Sequence, residues 1–571
     1  MKTLDLYIHS ILFRSKNIQQ HRYYLAFLAL LSSVCFWLAW PPNRFVLPLF
    51  VALVPMLLIE RHIKAHQYKR PYWTFYKYAY WVLFLWNLST TWWVAHATVA
   101  GAVFMLFINT FCMSLPVPLF QFTSKHLGSF MGYLSLITYW VSMEHAHLQW
   151  ELSFPWLNLG NGFACWPEWV QWYEYTGALG GTIWVIVANV LVCALFSSKK
   201  TSTRWWLGGM ISCCILLPIL SSYYTYSTYE EHGEAVEVVV MQPNINPNTG
   251  AFVDTGEVPS MHKRVERFIE LSEKQLADKT QFLVWPEIAI DGCFDEQILD
   301  EYPLIEQLVS FRERYPQLSI LTGINSLIGY ANRKATKTAR LSQRYGYYDI
   351  FNTALFVGNQ GTLATYHKSK LVPGVEIVPY MYSLKVPRIL TPDSKSRLNS
   401  LGIQDHPSVF FNKEGIGIAP IICYESIYGD YLTEFVRMGA ALIFSITIDG
   451  WWKNTPGYQQ HFHYTRLRAI ESRRSIARSA LKGISAFINQ RGDILQPTQY
   501  EDQASIRHTL QANPIPTYYV QHSHYIASVA FWASFFLIIG AILSNIFTQA
   551  RRRGRSSPTI LKDKHAPRFR S

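Results

Sequence analysis

Residues 415–426 read GIGIAPIICYES, an apolar run that ends in a thiol and a carboxylate. A short apolar run bounded by glycine and polar residues is typical of a buried β-strand. Runs of the same kind recur at 235–241, 281–285, 318–323, 350–357 and 441–448, and apolar residues at helical spacing lie between 261 and 276. Strands that alternate with helices predict an α/β layered fold for residues 230–515.

Three strand ends in this half carry side chains that suit covalent chemistry. Glu287, Lys368 and Cys423 each follow a predicted strand, which is where α/β scaffolds usually place functional groups. A cysteine reacts as the thiolate, so it needs a base and a positive neighbour. We expect Glu287 to be the general base, Lys368 to balance the charge of a tetrahedral intermediate, and Cys423 to be the nucleophile. The backbone N–H of Tyr424 would complete an oxyanion hole.

The remainder of the chain has a different composition. Apolar stretches near the ~20 residues that cross a bilayer dominate the first 225 residues, and one more precedes the C-terminal tail. The candidate spans are 23–40, 45–59, 79–97, 102–122, 129–147, 180–197, 205–224 and 525–549. We therefore predict a seven-helix transmembrane domain at 1–225, a catalytic domain at 226–520, a transmembrane helix at 521–550 and a basic tail at 551–571.

The basic residues predict the orientation of these spans. Loops 60–78, 123–128 and 198–204 contain lysine or arginine, whereas loop 148–179 contains neither. Positive charge collects on the cytoplasmic side, so the catalytic domain is expected outside the cytoplasm and the tail inside. Much of the net charge of +13 thus flanks membrane spans, and this placement argues against nucleic acid as a partner.

Neither the cysteines nor the histidines predict a disulfide framework or a metal site. Five of the eight cysteines fall in apolar spans, which leaves only Cys165, Cys293 and Cys423. His461 and His463 lie near Asp449, but two histidines at alternate positions without a third ligand are a weak metal signal. We expect no metal and no cofactor.

A transporter or channel bundle is the alternative interpretation of the first 225 residues. Ionisable residues that would mark a transport path are rare in the spans, and Glu144, His145 and His147 lie near the outer end of theirs. Loop 148–179 is rich in tryptophan, whose ring suits the headgroup region of a bilayer. These features favour a platform for lipid over a pore.

Five motifs, in this order, resemble the nitrilase superfamily. They are WPE at 285–287, HKSKLVPGVEIVP at 367–379, ICYES at 422–426, DGWW at 449–452 and RLRAIESRRSIARSA at 466–480. With membrane helices on both sides, the chain resembles the apolipoprotein N-acyltransferase family. The resemblance implies an α-β-β-α sandwich between helices seven and eight of an eight-helix protein. It also implies the triad Glu287, Lys368 and Cys423, and substrate-binding or supporting roles for Glu376, Tyr424 and Glu425.

The chain departs from the family pattern in two places. Gly374-Val375 replaces the usual Phe-Gly before Glu376, and Leu481-Lys482 replaces Asn-Thr after the late strand. The long segment 376–412 has few regular signals and is interpreted as a lid that touches lipid.

The function implied by the resemblance is lipoprotein maturation in the bacterial inner membrane. Cys423 would take an acyl chain from a membrane phospholipid as a thioester and pass it to the N-terminal amine of a diacylglyceryl-cysteine apolipoprotein. The catalytic domain would lie in the periplasm, and we expect a monomer. Two alternatives remain open at this point: a membrane-tethered amidase or nitrilase in which water resolves the thioester, and a transporter or lipid scaffold without activity.

Overall fold

The structure is a computed structural model that describes residues 18–66, 68–380 and 400–555. Three regions interpreted above extend beyond these ranges. Outside them lie the first residues of the predicted transmembrane domain (1–17), the central part of the expected lid (381–399) and most of the basic tail (556–571).

Helices form wherever the sequence predicts a membrane span. Their bounds are α1 Ile18–Ala39, α2 Val54–Ala65, α3 Pro71–Thr91, α4 Val99–Ser114, α5 Pro116–Leu127, α6 Ser129–His147, α7 Tyr173–Ser197 and α8 Thr201–Thr228. The predicted span 45–59 divides into a short 3₁₀ helix, Leu47–Phe50, and the start of α2. The predicted span 102–122 covers parts of α4 and α5, which meet at Leu115 before Pro116.

Five helical stretches in the described residues are long and apolar enough to cross a membrane. They are His21–Ala39, Val99–Leu127, Tyr173–Ser197, Thr201–Thr228 and Tyr525–Arg551. The predicted spans at 45–59, 79–97 and 129–147 are helical without reaching that combination of length and hydropathy. The chain is a membrane protein, and its count of eight crossings stays a prediction.

An α/β domain follows α8 and contains two mixed sheets. The first has the order β14-β1-β2-β4-β6-β5, with β3 beside β4 and β7 beside β6; the second has the order β13-β12-β11-β10-β9-β8. The strand bounds are β1 Glu234–Gln242, β2 Phe282–Val284, β3 Ile290–Asp295, β4 Ser319–Gly329, β5 Arg340–Ser342, β6 Gly346–Val357, β7 Leu363–His367, β8 Phe410–Phe411, β9 Gly417–Ile422, β10 Ala440–Thr447, β11 Ser475–Ala480, β12 Ala486–Ile488, β13 Ile494–Leu495 and β14 Ala504–Ala512. The six predicted apolar runs and the strand at 362–366 are confirmed.

The two sheets pack face to face between helices. Alternate residues of β1 point to opposite sides: Val238 and Val240 join the core between the sheets, whereas Val239 and Met241 join a second core under the helices of the first sheet. Phe282 and Phe444 meet across the sheets with ring centroids 5.0 Å apart. The helices are α9 Met261–Glu273 and α10 Pro303–Glu313 on the first sheet, and α11 Gly429–Arg437 and α12 Pro456–Ser472 on the second. The expected α-β-β-α sandwich is the observed arrangement.

The chain leaves the sandwich through the short helix α13 Tyr518–Gln521 and continues into the apolar helix α14 Tyr525–Arg555. Helix α14 packs against α6 and α5 of the N-terminal bundle. The sandwich therefore lies, in chain order, between α8 and α14.

The sandwich rests directly on loop 148–179 of the membrane domain. Gln460 of α12 accepts hydrogen bonds from the indole nitrogens of Trp93 (3.2 Å) and Trp156 (2.7 Å). Arg473 forms an ion pair with Glu174 at 2.8 Å. Trp156 is fully buried at this interface, so it serves packing between the domains and not contact with lipid.

Candidate active site

Glu287 is placed by a close approach of two backbone segments. The pairing of β2 with β4 continues through Trp285, whose N–H donates to the carbonyl of Leu321. A Cβ atom added at Gly323 of β4 would lie 2.6 Å from the Cα of Glu287 and 2.4 Å from the nitrogen of Ile288. The absent side chain at Gly323 is thus what lets the chain turn after β2 and bring the Glu287 carboxylate to the sheet edge.

Lys368 follows β7 and points at two carboxylates. Its ammonium lies 3.4 Å from Glu287 Oε1 and 2.9 Å from Glu376. The side-chain amide N–H₂ of Asn352, on neighbouring β6, donates to Glu287 at 2.7 Å and to Glu376 at 3.1 Å. The backbone carbonyl of Asn352 accepts from the Lys368 backbone N–H. One ammonium and one amide therefore fix both carboxylates.

The charge of Lys368 is maintained by its partners. Burial disfavours the ammonium, but Glu376 and Glu287 outweigh this effect and hold the pKa of Lys368 above its ordinary value. This shift favours the ammonium form of Lys368, and an ammonium group has no lone pair with which to accept a proton.

Cys423 begins the turn after β9 in a conformation that few residues other than glycine adopt. Its φ is 50°, and the backbone then forms a 3₁₀ helix, Cys423–Ile427. Burial and the nearby Glu287 raise the pKa of the thiol, while Lys368 and a hydrogen bond with Thr447 lower it. The net shift is upward, so the resting thiol is protonated and needs a base to react.

Glu425 acts as a brace between the two sheets. One of its oxygens accepts from the Tyr366 hydroxyl at 2.6 Å and from the Ser369 N–H at 2.7 Å. The other accepts from the Ile422 N–H at 2.9 Å. The carboxylate thus ties the turn that carries Cys423 to the residue after Lys368. Burial raises the pKa of Glu425 to about 7, against the lowering effect of these donors.

Tyr424 lies between Cys423 and the membrane domain. Its hydroxyl donates to the carbonyl of Ser153 at 3.0 Å. Its ring lines a narrow, mainly apolar cavity of about 40 Å³, whose walls come from both domains: Trp93, Thr98, Met105, Phe154, Val372, Pro373, Val375 and Trp452. The cavity has room for little more than a water molecule.

The predicted residues separate into three groups. Glu287, Lys368 and Glu376 form one hydrogen-bonded cluster beside Cys423. Glu425 lies behind this cluster as a brace, and Tyr424 faces the cavity.

The departure from the family pattern at 374–375 does not change the fact that the Glu376 carboxylate is held by hydrogen bonds. Gly374 adopts a φ of 78°, and the Val372 N–H donates to Glu376 at 2.8 Å. At the other departure, the Leu481 N–H donates to the Thr447 carbonyl and Lys482 forms an ion pair with Glu501 at 3.3 Å.

The sequence interpretation missed Asn352 and Thr447. Both are buried polar residues in strands that are mainly apolar. Asn352 meets Glu287, 65 positions away in the chain, and Thr447 donates to Asp449, two residues on, so only the role of Asn352 depends wholly on contacts made by the fold.

The comparisons with known proteins agree with this architecture. Residues 32–191 match the apolipoprotein N-acyltransferase N-terminal domain, and residues 238–513 match the carbon-nitrogen hydrolase family. An apolipoprotein N-acyltransferase of Chlorobaculum tepidum is 27% identical over 507 residues, which cover 87% of this chain and 92% of the relative. One of Gloeobacter violaceus is 24% identical over 564 residues, which cover 95% and 98%.

Among solved structures, Nit3 of Saccharomyces cerevisiae, a member of the nitrilase superfamily, covers 52% of this chain and 95% of its own at 12% identity and a TM-score of 0.35.

The sandwich and its cysteine-centred site define a carbon-nitrogen hydrolase domain carried by a bundle of apolar helices. With both parts matched along most of its length, the chain belongs to the apolipoprotein N-acyltransferase family of the nitrilase superfamily.

Proposed function

We propose that this protein transfers a fatty acyl chain from a membrane phospholipid to the N-terminal amine of a diacylglyceryl-cysteine apolipoprotein, through a thioester on Cys423. The observation that carries the proposal is the position of the Glu287, Lys368 and Cys423 cluster. The three residues are buried, and Tyr424, the residue after Cys423, lines an apolar cavity that the catalytic domain and the membrane helices build together. A thiol at such a junction can reach a substrate that stays in the bilayer.

In the first half-reaction Glu287 takes the proton of the Cys423 thiol. The thiolate attacks the ester carbonyl carbon of the phospholipid, and the negative charge moves to the carbonyl oxygen. Lys368 and the backbone N–H of Tyr424 stabilise that oxyanion. The carbon–oxygen ester bond then breaks, Glu287 returns the proton to the departing alkoxide, and a lysophospholipid leaves behind an acyl-enzyme.

In the second half-reaction the apolipoprotein amine attacks the thioester carbonyl. Glu287 accepts a proton from the amine, the carbon–sulfur bond breaks and an amide forms. The proton then returns to the Cys423 thiolate, so the enzyme recovers its starting state. Glu287 is neutralised twice in each cycle, and Glu376 remains as the counter-charge of Lys368 at 2.9 Å.

The acyl chain would enter the cavity between Tyr424 and the start of α4. At about 40 Å³ the cavity is too narrow for a chain of many methylene groups, so residues 372–375 must move outward on binding. Val375 is 44% exposed and borders open space, which permits this motion.

The orientation follows from the charge of the loops. With 60–78, 123–128 and 198–204 in the cytoplasm, the eight predicted spans place residues 226–520 in the periplasm of a bacterial inner membrane. The partners are then a phospholipid donor, an apolipoprotein acceptor and the bilayer itself. We expect a monomer that uses neither a cofactor nor nucleic acid.

The proposal is tested with a phospholipid that carries a label in its acyl chain, and the transfer of this label to the protein is measured. The full-length protein in detergent, given phosphatidylethanolamine labelled in its acyl chain, should become labelled through a bond that hydroxylamine cleaves. Cys423→Ser should abolish this label. Cys293→Ser is the matched control, because Cys293 is an exposed cysteine of β3 and should leave the label unchanged.

Addition of a diacylated lipopeptide should move the label to its amine. Release of free fatty acid alone would show that water resolves the thioester, which would make the protein a hydrolase. An unlabelled wild-type protein would contradict the proposal altogether.

A further inference from the structure

A buried polar network lies directly behind the nucleophile. His461 of α12 contacts the Cys423 carbonyl oxygen through Nε2 at 3.1 Å and Asp449 through Nδ1 at 2.9 Å. Arg478 of β11 donates to both oxygens of Asp449, at 3.2 and 3.0 Å. His461, Asp449 and Arg478 are all fully buried. The catalytic steps above use none of them.

The hydrogen-bond partners define what the imidazole does. Nε2 lies 3.1 Å from the Cys423 carbonyl oxygen, and because that oxygen only accepts, an Nε2–H donates to it. The Ser426 hydroxyl lies 2.8 Å from the same oxygen and 2.9 Å from Nε2, so the ring and the hydroxyl converge on one carbonyl. Burial opposes the charged form of Asp449, but Arg478 and His461 outweigh this and hold the pKa of that carboxyl below its ordinary value. Nδ1 lies 2.9 Å from Asp449 and 3.1 Å from a nitrogen of Arg478, so polar partners on both ring nitrogens leave the ring one orientation.

This orientation bears on the strained backbone of the nucleophile. Cys423 has a φ of 50°, and two donors, His461 and Ser426, hold its carbonyl in place. The ring of His461 is itself packed against Trp156 of the membrane-domain loop and against Trp452. Loss of either donor would free the peptide after Cys423 to rotate, and the thiol would leave its alignment with Glu287.

We propose that His461, backed by Asp449 and Arg478, is a positioning residue for the nucleophile: it fixes the carbonyl of Cys423 and thereby the direction of the thiol. The inference rests on the proposed function, because it concerns the rate at which Cys423 takes up an acyl chain. Both ring nitrogens of His461 already contact protein groups, Asp449 and the Cys423 carbonyl, and Nδ1 of His463 lies 3.5 Å from Arg466.

The experiment measures single-turnover acylation from labelled phosphatidylethanolamine. His461→Phe keeps a ring of similar size without donors, and the acylation rate should fall about 10- to 100-fold with KM for the phospholipid within about threefold of wild type. His461→Gln retains a donor near the Nε2 position and should recover about half of that loss on a logarithmic scale. His463→Gln, two residues along the same helix, is the matched control and should acylate at the wild-type rate.

The outcomes separate the two proposals. A wild-type protein without hydroxylamine-sensitive label overturns the proposed function. A labelled wild type together with a folded His461→Phe that acylates equally fast overturns the positioning role. If His461→Phe does not fold, Ser426→Ala decides, since it removes the other donor to the same carbonyl. Acylation slowed several-fold at unchanged KM supports the inference, and an unchanged rate overturns it.

Discussion

Glu425 holds the nucleophile's turn through its charge state, and this makes the fold sensitive to pH. Burial raises the pKa of the carboxyl to about 7, above the ordinary value of 4.5. The folded state therefore binds this proton more tightly than the unfolded state, so the contribution of Glu425 to stability falls as the pH rises from about 4.5 to about 7. Linkage puts the loss at about 3 kcal/mol at most.

Glu425→Gln removes this titration. We expect the variant to be less stable than wild type at pH 5, because its amide N–H₂ faces the Ser369 or Ile422 N–H donors. The difference in Tm between wild type and Glu425→Gln should then become smaller toward pH 8, because only the wild type loses stability as the pH rises. Thermal unfolding of both proteins in the same detergent across this range is the measurement. A gap that stays constant with pH would show that Glu425 does not titrate in this window.

The residues at strand ends were the part of the site that the sequence could predict. Glu287, Lys368 and Cys423 each follow an apolar run. The first two follow strands of one sheet and Cys423 follows a strand of the other, and the packing of the two sheets face to face brings these strand ends together. His461 and Asn352 could not be assigned in the same way. Their function is defined by a carbonyl or a carboxylate far away in the chain, and no spacing rule connects those positions.

At the scale of the secondary-structure elements, the contact of β4 with the turn after β2 controls where Glu287 stands. Gly323→Ala would put a methyl group 2.4 to 2.8 Å from the backbone of Glu287 and Ile288. The turn must shift, and a displacement of about 1 Å at a catalytic group costs on the order of 100-fold in rate. Gly329→Ala on the same strand has its nearest neighbour at 3.6 Å and is the matched control. Acylation rates of the two variants are compared; equal rates would refute this role of Gly323.

Among the secondary-structure elements, the β-strands were easier to predict from the sequence than the membrane spans. Strands β9 and β10 are buried along their whole length, so each is a nearly continuous apolar run with clear ends. The span predicted at 45–59 has weaker limits, because Asn189 of α7 bonds to Leu49 and Leu53 and stabilises a break between two short helical pieces. That break depends on a residue more than a hundred positions away.

In the whole molecule, the α/β domain is fixed to the membrane domain by buried polar contacts, and the cavity beside Tyr424 depends on this attachment because both domains line it. Arg473 is central to the attachment: it pairs with Glu174 at 2.8 Å and donates to Gln171 at 2.6 Å, both in the membrane domain. Arg473→Met leaves these partners buried without their cation, which typically costs 3–5 kcal/mol.

We therefore expect Arg473→Met to lower Tm, to increase amide hydrogen exchange in residues 155–176 and to raise KM for the phospholipid more than it lowers the rate of acylation of bound lipid. Arg267→Met is the control, because it breaks an exposed ion pair with Asp254 that contributes about 1 kcal/mol or less. Suppose that Arg473→Met and Arg267→Met show the same amide hydrogen exchange and the same acylation kinetics. The two domains would then be held together by their apolar contacts alone, and the cavity would not depend on the polar attachment.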